Sequence, residues 1–312
     1  MDKISVLVDL PQQPYFPLKR HGYTFERTLN NKNRWETKIV CSILDKKYKR
    51  YVSTTYAKQN DYLRLLETAT FLKCNGKLSP EIVSLYPSDR TIVCDYIGEF
   101  LSDYLLNNPA DISLSLTSIF DYLRDVNSIN QSRKTFAIPF IVNVSIQLAK
   151  EVSGDFEFLP KSKVILPRLE HSGLEFTYGC GIEDPHIWNF RIVNITDKIQ
   201  ALTTDFDYFS DRINCFWELG YLYATFRWFK KTSFSLACLS EEILSSLVQN
   251  HDLKARFMFW LGVLSSYCGY RDSLRNFMVN GGISKSREQY RIIQQLDEKV
   301  SFLANKLLWE ID

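Results

Sequence analysis

The hydrophobic pattern of this chain changes its period once, near Gly98, and that change most limits the fold. Before it, segments 35–44 (WETKIVCSIL) and 50–58 (RYVSTTYAK) are rich in β-branched and aromatic residues, as half-buried strands are. The polar runs Asn30–Arg34 and Asp45–Arg50 read as turns. Residues 60–74 place apolar side chains at helical spacing, with Asn60 or Asp61 as the expected N-cap, and a further strand follows at 91–97. Beyond Gly98 the period is mostly helical, over 99–152 and again over 213–309. Between them lie short strand-like runs at 173–180, 189–193 and 198–206. The pattern predicts an α+β chain. Its N-lobe, 1–97, is a small antiparallel β-sheet with one helix; its C-lobe, 98–312, is larger and mainly helical. Prolines clustered at 11–17 predict an extended N-terminal arm.

A chain of 312 residues is long enough to bury two such lobes. The net charge of +2, with both signs mixed along the chain, supplies no field to gather nucleic acid or a membrane surface. Seven scattered cysteines without a CxxC pair argue against a disulfide framework or a zinc site, and for reduced thiols in a cytoplasm. The opening MDKISVLVDLPQQP lacks the apolar stretch of a signal peptide. Later apolar runs break well before the roughly 18 residues of a transmembrane helix. The oligomeric state is not fixed by the sequence.

Asp184 and Asn189 have four residues between them, the D-x-x-x-x-N spacing of a phosphoryl-transfer loop. There the aspartate orients the acceptor hydroxyl and the asparagine binds a metal. Asp103/Asn108 and Asp125/Asn130 share the spacing but sit in helical patterns. Only Asp184 lies between two strand-like runs and is followed by a polar turn, a third strand and Asp205-Phe206-Asp207. Asp205, at that strand's end, is the second metal-ligand candidate, and amide and carboxylate oxygens suit Mg²⁺. The plainer reading is a polar turn at 184–189 and caps at 205 and 207. Such chemistry also asks for a lysine on the third strand and a glutamate on the next helix. Lys58 and Glu67 arrive in that order, although each residue type is ordinarily a solvated surface group. Asp95, Tyr96 and Ile97, before Gly98, stand where backbone groups would meet an adenine base.

These residues resemble the aminoglycoside phosphotransferase-like branch of the protein-kinase-like superfamily. Asp184-Pro-His-Ile-Trp-Asn189 is similar to that family's HGD-x-H-x-x-N loop, and Asp205-Phe206-Asp207 to its DFD motif. Glu218-Leu219-Gly220 falls where the family has Asp-Leu-Ala at a helix start, and residues 92–105 (IVCDYIGEFLSDYL) resemble its hinge and first C-lobe helix. The resemblance implies a bilobal protein-kinase-like fold, with Asp184 as catalytic base and Asn189 and Asp205 as magnesium ligands. It implies that Lys58 contacts the α/β-phosphates, that Glu67 holds Lys58, and that His186 organises the loop. The chain departs from the pattern at Ile182-Glu183, where the family has His-Gly, and in the glycine-free segment Leu29–Arg34, where a phosphate-covering loop is expected.

The leading functional reading is an ATP- or GTP-dependent, Mg²⁺-assisted O-phosphotransferase acting on a hydroxyl of a small molecule. Its nucleotide-binding N-lobe would be 1–97, and its catalytic loop and substrate pocket would lie in 98–312. The acceptor would sit between the 184–189 loop and the helices beyond 213. Trp217, Tyr221, Trp228 and Trp260 are candidates to line that pocket, although their helical spacing also suits a core. The alternative is a catalytically silent kinase-like binding or scaffold protein, motivated by the two departures. Near-neutral charge disfavours an RNA substrate. The lack of an Ala-Pro-Glu segment disfavours a protein kinase, as does the short run from Ser210-Asp211 to the Trp217 helix.

Overall fold

A computed structural model describes residues 23–32, 35–42, 50–77, 79–151, 158–195, 198–203, 209–228, 234–269 and 283–311. The predicted proline arm lies outside them. The chain divides into two compact units, Met1–Thr70 with Pro80–Ile97, and Phe71–Ser79 with Gly98–Asp312. The division falls inside a helix, because Phe71 packs its ring 6.0 Å from Phe209.

The first unit holds strands β1 (Tyr23–Lys32), β2 (Trp35–Ser42), β3 (Arg50–Tyr56), β4 (Ile82–Tyr86) and β5 (Thr91–Asp95), with helix α1 (Gln59–Cys74) between β3 and β4. They form one antiparallel sheet in the order β1-β2-β3-β5-β4. Tyr51, Ser53 and Tyr56 on β3 and Ile92 and Val93 on β5 are buried. Tyr23 meets Tyr51 edge-on at 5.6 Å over Val93. Such aromatic contacts are the main apolar mass available to so small a sheet.

Several boundaries differ from the sequence reading. β1 continues to Lys32, which pairs with Trp35, so most of the expected turn at 30–34 is strand. Helix α1 begins at Gln59, ahead of both expected caps, because the Lys58 carbonyl already accepts the Tyr62 amide at 3.3 Å. β3 stops at Tyr56, which leaves Lys58 beyond it. β4 escaped the pattern because it is an edge strand whose Val83 and Leu85 are exposed.

In the second unit β6 (Glu99–Phe100) leads into helices α2 (Leu101–Asn107) and α3 (Ile112–Asn127), then β7 (Ser132–Thr135), α4 (Phe140–Glu151) and α5 (Ser162–His171). Next come β8 (Glu175–Ile182), β9 (Phe190–Ile195), β10 (Lys198–Thr203) and β11 (Phe209–Ile213), followed by α6 (Cys215–Trp228), α7 (Phe234–Gln249), α8 (Leu253–Gly269) and α9 (Ile283–Trp309). The strands make two three-stranded antiparallel sheets, β10-β9-β6 and β11-β8-β7. β6, β7 and β11 are short and polar, which hides them from periodicity.

α3 supplies a core stripe of Ile112, Leu116, Ile119, Leu123 and Val126, at the spacing of one helix face. At its end the buried Asn127 side chain donates to the carbonyls of Ile213, at 2.7 Å, and Cys180, at 3.3 Å, and so fixes β8 beside β11. α6 and α8 lie backbone against backbone. A Cβ on Gly220 would stand 1.9 Å from the Phe259 carbonyl oxygen, and one on Gly262 would stand 2.1 Å from that of Trp217. The buried Asp297 of α9 accepts the amides of Lys161 at 3.0 Å and Ser162 at 2.7 Å, capping the start of α5 from outside its own segment. No helix among the described residues is long and apolar enough to cross a membrane.

Candidate active site

The loop from Glu183 to Asn189 joins β8 to β9. Ile187 and Phe190 are buried and anchor it from below. Backbone bonds run from the His186 amide to the Asp184 carbonyl, at 3.0 Å, and from the Asn189 amide to the His186 carbonyl, at 2.8 Å. The Asn189 side-chain NH₂ donates to the same Asp184 carbonyl at 2.7 Å. Asn189 is buried, whereas the Asp184 side chain is 38% exposed. The loop thus closes on itself and presents one carboxylate to solvent. With its NH₂ committed, the Asn189 side chain has Oδ1 to turn toward a cation.

His186 serves this loop. Its Nδ1 accepts the Trp188 amide at 3.2 Å, which assigns the proton of the neutral ring to Nε2. That Nε2 lies 3.9 Å from Asp184 Oδ2, and the ring meets the exposed Trp188 edge-on. The Thr203 hydroxyl, at the end of β10, donates to the Asn189 carbonyl at 3.2 Å. Asp205 lies two residues further on, outside the described residues.

The support beneath the loop comes from α6. Asn214 is its N-cap, with Oδ1 accepting the amides of Phe216 at 3.0 Å and Trp217 at 3.3 Å, while Nδ2 donates to the Thr177 carbonyl of β8 at 2.8 Å. In the first turn Glu218 is fully buried, and its Oε1 accepts the Ile182 amide at 2.7 Å. Burial pushes this carboxyl well above the usual carboxylate range, and the Ile182 bond offsets only part of that. Glu218 was read from the sequence only as a variant of a family position. Its role depends on which side chain faces β8, which spacing does not report.

One buried charge was not legible at all. Arg191 on β9 is almost completely buried, with its guanidinium 3.8 Å from the Phe100 ring centroid and Nη1 donating to the Gly98 carbonyl at 3.3 Å. Gly98 has φ +68°, and a Cβ there would stand 2.2 Å from the Ile192 carbonyl oxygen. The segment that enters the second unit is therefore pinned to the strand that leaves the loop.

The other sequence candidates lie in the first unit. Lys58 and Glu67 are both exposed, and no ion pair joins them among the described residues. The amides of Asp95, Tyr96 and Ile97 donate to the carbonyls of Glu81, Arg50 and Asp95 at 2.9, 3.4 and 3.1 Å. The amides of all three are therefore bonded within the backbone, and so is the Asp95 carbonyl. Of the aromatic candidates, Trp217 is core, with Nε1 donating to Ser265 at 3.1 Å, and Trp260 carries Lys299 over its ring at 3.3 Å. The Trp228 side chain lies outside the described residues. No cluster of three or more His, Cys, Asp or Glu side chains that would hold a metal occurs among the described residues.

No protein-family model matches the chain, and no curated protein matches it. Solved structures do. A thermostable mutant of an aminoglycoside phosphotransferase, in its apo form, superposes with a TM-score of 0.57 at 11% identity, covering 92% of this chain and 97% of that one. Choline kinase from Cryptosporidium parvum Iowa II superposes at 0.50, also at 11% identity, over 90% of each chain. The fold is protein-kinase-like. The resemblance carried by the 184–207 motifs holds at that level. At such identity the likeness concerns the path of the chain, and function must be argued from the site.

Proposed function

We propose that the chain is a phosphotransferase that moves the terminal phosphoryl group of ATP or GTP to a hydroxyl of a small molecule. The observation that carries this reading is the Asp184–Asn189 loop. It ties Asn189 to the Asp184 backbone at 2.7 Å and leaves the aspartate carboxylate exposed beside it. In the proposed reaction Asp184 accepts the acceptor's proton as that oxygen attacks phosphorus. Mg²⁺, held by Asn189 Oδ1 and Asp205, would neutralise the phosphate oxygens. The bond from Thr203 to Asn189 supports the pairing of those two ligands, since Asp205 follows Thr203 by two residues. Lys58 and Glu67 are proposed for the phosphate side and backbone groups of the Asp95–Ile97 segment for the base. Names of the structural neighbours support a small-molecule kinase as the class, without indicating which acceptor. Unbonded cysteines, among them buried Cys180, Cys215 and Cys268, support a cytoplasmic setting.

Thermal unfolding with and without nucleotide tests the reading. ATP or GTP with Mg²⁺ should raise the Tm, and Asp184→Asn should keep that shift while losing transfer. No shift with either nucleotide overturns the proposal. A shift without turnover, in a screen of hydroxyl acceptors for ATP consumption, favours a silent nucleotide-binding scaffold. That Lys58 and Glu67 are both exposed, with no ion pair joining them among the described residues, is the observation on that side.

A further inference from the structure

Gly98, Glu99 and Phe100 are the first residues of the second unit after Ile97, and Arg191 belongs to the same unit. β6 is two residues long and pairs with β9 only through Glu99 with Ile192 and Phe100 with Arg191. Arg191 adds to that short ladder. Directly opposite residues of an antiparallel pair project on the same face, so the Phe100 and Arg191 side chains meet by register. The guanidinium carbon lies 3.8 Å from the Phe100 ring centroid, and Nη1 donates to the Gly98 carbonyl, two residues back, at 3.3 Å. The side chain therefore runs along the connector 98–100 and touches both its ends. Gly98 is already flush with β9, since a Cβ there would stand 2.2 Å from the Ile192 carbonyl oxygen and 2.9 Å from Val193 Cγ2.

A buried guanidinium is a costly way to fill space, because an apolar side chain of similar volume needs no desolvation of charge. What it supplies instead is direction: a planar face for one ring and an N–H for one carbonyl. We propose that Arg191 is a positioning residue for nucleotide binding, which braces the connector 98–100 on β9 and so fixes the point at which the Asp95–Ile97 segment ends. This role rests on the reading of Asp95–Ile97 as the base-binding segment, whose last residue is one peptide bond from Gly98. β9 then serves two ends of the reaction. Asn189, just before it, is the proposed metal ligand, and Arg191, two residues on, holds the connector. The loop keeps its own anchors in the Glu218 bond to Ile182 and the Thr203 bond to Asn189. Loosening Arg191 should therefore weaken nucleotide binding before it slows transfer.

The test uses the full chain with Mg-ATP or Mg-GTP, whichever raises the wild-type Tm, and water as acceptor. Phe100→Leu removes the ring beneath the guanidinium. Arg191→Lys keeps the charge and loses the plane and the fork. In each variant the Kd and KM for nucleotide should rise roughly two- to thirtyfold, the range spanned by one cation–π contact, with kcat within about twofold of the wild type. Phe100→Tyr keeps a ring and should keep the wild-type Kd. The double variant should do little more than either single one, because both remove the same contact. An unchanged Kd in Phe100→Leu overturns the role. So does a lower Tm with KM and kcat not separated, the pattern of a merely structural contact. Phe100 is half-buried, so Phe100→Leu decides the matter where Arg191→Lys does not fold. A readout independent of nucleotide is amide hydrogen exchange over residues 98–100. It should quicken in both variants ahead of the rest of the second unit, and unaltered exchange refutes the brace. A wild type that neither binds nor turns over Mg-ATP or Mg-GTP sinks the phosphotransfer reading and the nucleotide role with it, whereas a working wild type with an indifferent Phe100→Leu sinks the positioning role alone.

Discussion

Replacing Glu218 by glutamine should make the protein more stable relative to the wild type as the pH rises. Glu218 has no solvent exposure, one oxygen bonded to the Ile182 amide at 2.7 Å, and a second oxygen with no hydrogen-bond partner among the described residues. Burial raises its pKa well above 4.5 in the folded protein. In the unfolded chain the same acid titrates near 4.5, its ordinary value. Below that pH both states hold the proton and the group is neutral to stability. Above it the unfolded state ionises while the folded state keeps its proton, so the folded state binds more protons and stability falls with pH. The fall is about 1.4 kcal/mol per pH unit and ends when the folded acid itself titrates.

Glutamine keeps an oxygen for Ile182 and cannot ionise. At pH 4 the two proteins should differ by less than about 1 kcal/mol, since one unpartnered buried polar group replaces another. Between pH 5 and 7 the variant should gain on the wild type, by at most about 3 kcal/mol, the limit reached where the folded acid keeps its proton throughout. Urea unfolding of both proteins at pH 4, 5, 6 and 7 measures the difference, and all other titrating groups cancel in the comparison. Parallel stability curves, or a wild type that gains on the variant with pH, would refute the buried neutral acid.

Gly98→Ala should destabilise the second unit by about 3 kcal/mol or more, because it adds left-handed strain at φ +68° to a 2.2 Å contact with the Ile192 carbonyl. Denaturant titration checks this, and a loss under about 1 kcal/mol would show that the backbone moves aside freely. Asp297→Ala should cost about 2 kcal/mol by uncapping the Lys161 and Ser162 amides, with amide exchange accelerating first at the start of α5.

Much of the second unit was legible because its signals are local. The strands around 175–203 carry β-branched runs, the 184–189 loop carries fixed spacing, and α3 and α8 repeat apolar side chains often enough to be read as helix. What stayed hidden is pairwise and distant in sequence. Asn127 reaches Ile213, Asp297 reaches Ser162, and Arg191 reaches Gly98, and no window over the chain contains both partners. β4 and β11 failed for another reason: an edge strand with outward apolar residues, and a short polar strand, lack the alternation that marks a half-buried one. Lys58 was placed by the expected length of β3, and strand ends are set by pairing partners that composition does not name. Tyr221 carried aromatic spacing suited either to core or to pocket. Its burial settles that in favour of the core.

The reciprocal glycines of α6 and α8 have a consequence for inheritance and recombination. Each helix lacks a side chain where the other presents a carbonyl, Gly220 against Phe259 and Gly262 against Trp217. The fit is thus written half in one segment and half in another more than thirty residues away. A chimera that imports α6 from a chain with a larger residue at 220 sets a Cβ against the Phe259 carbonyl, and one that imports α8 from a chain with a larger residue at 262 sets one against that of Trp217. Because α6 also carries Glu218, which accepts the Ile182 amide, and follows Asn214, which donates to the Thr177 carbonyl, an exchange that keeps these contacts must carry β8 and the loop as well. A block that keeps both the glycine fit and these bonds therefore runs from the start of β8 to the end of α8, residues 175–269.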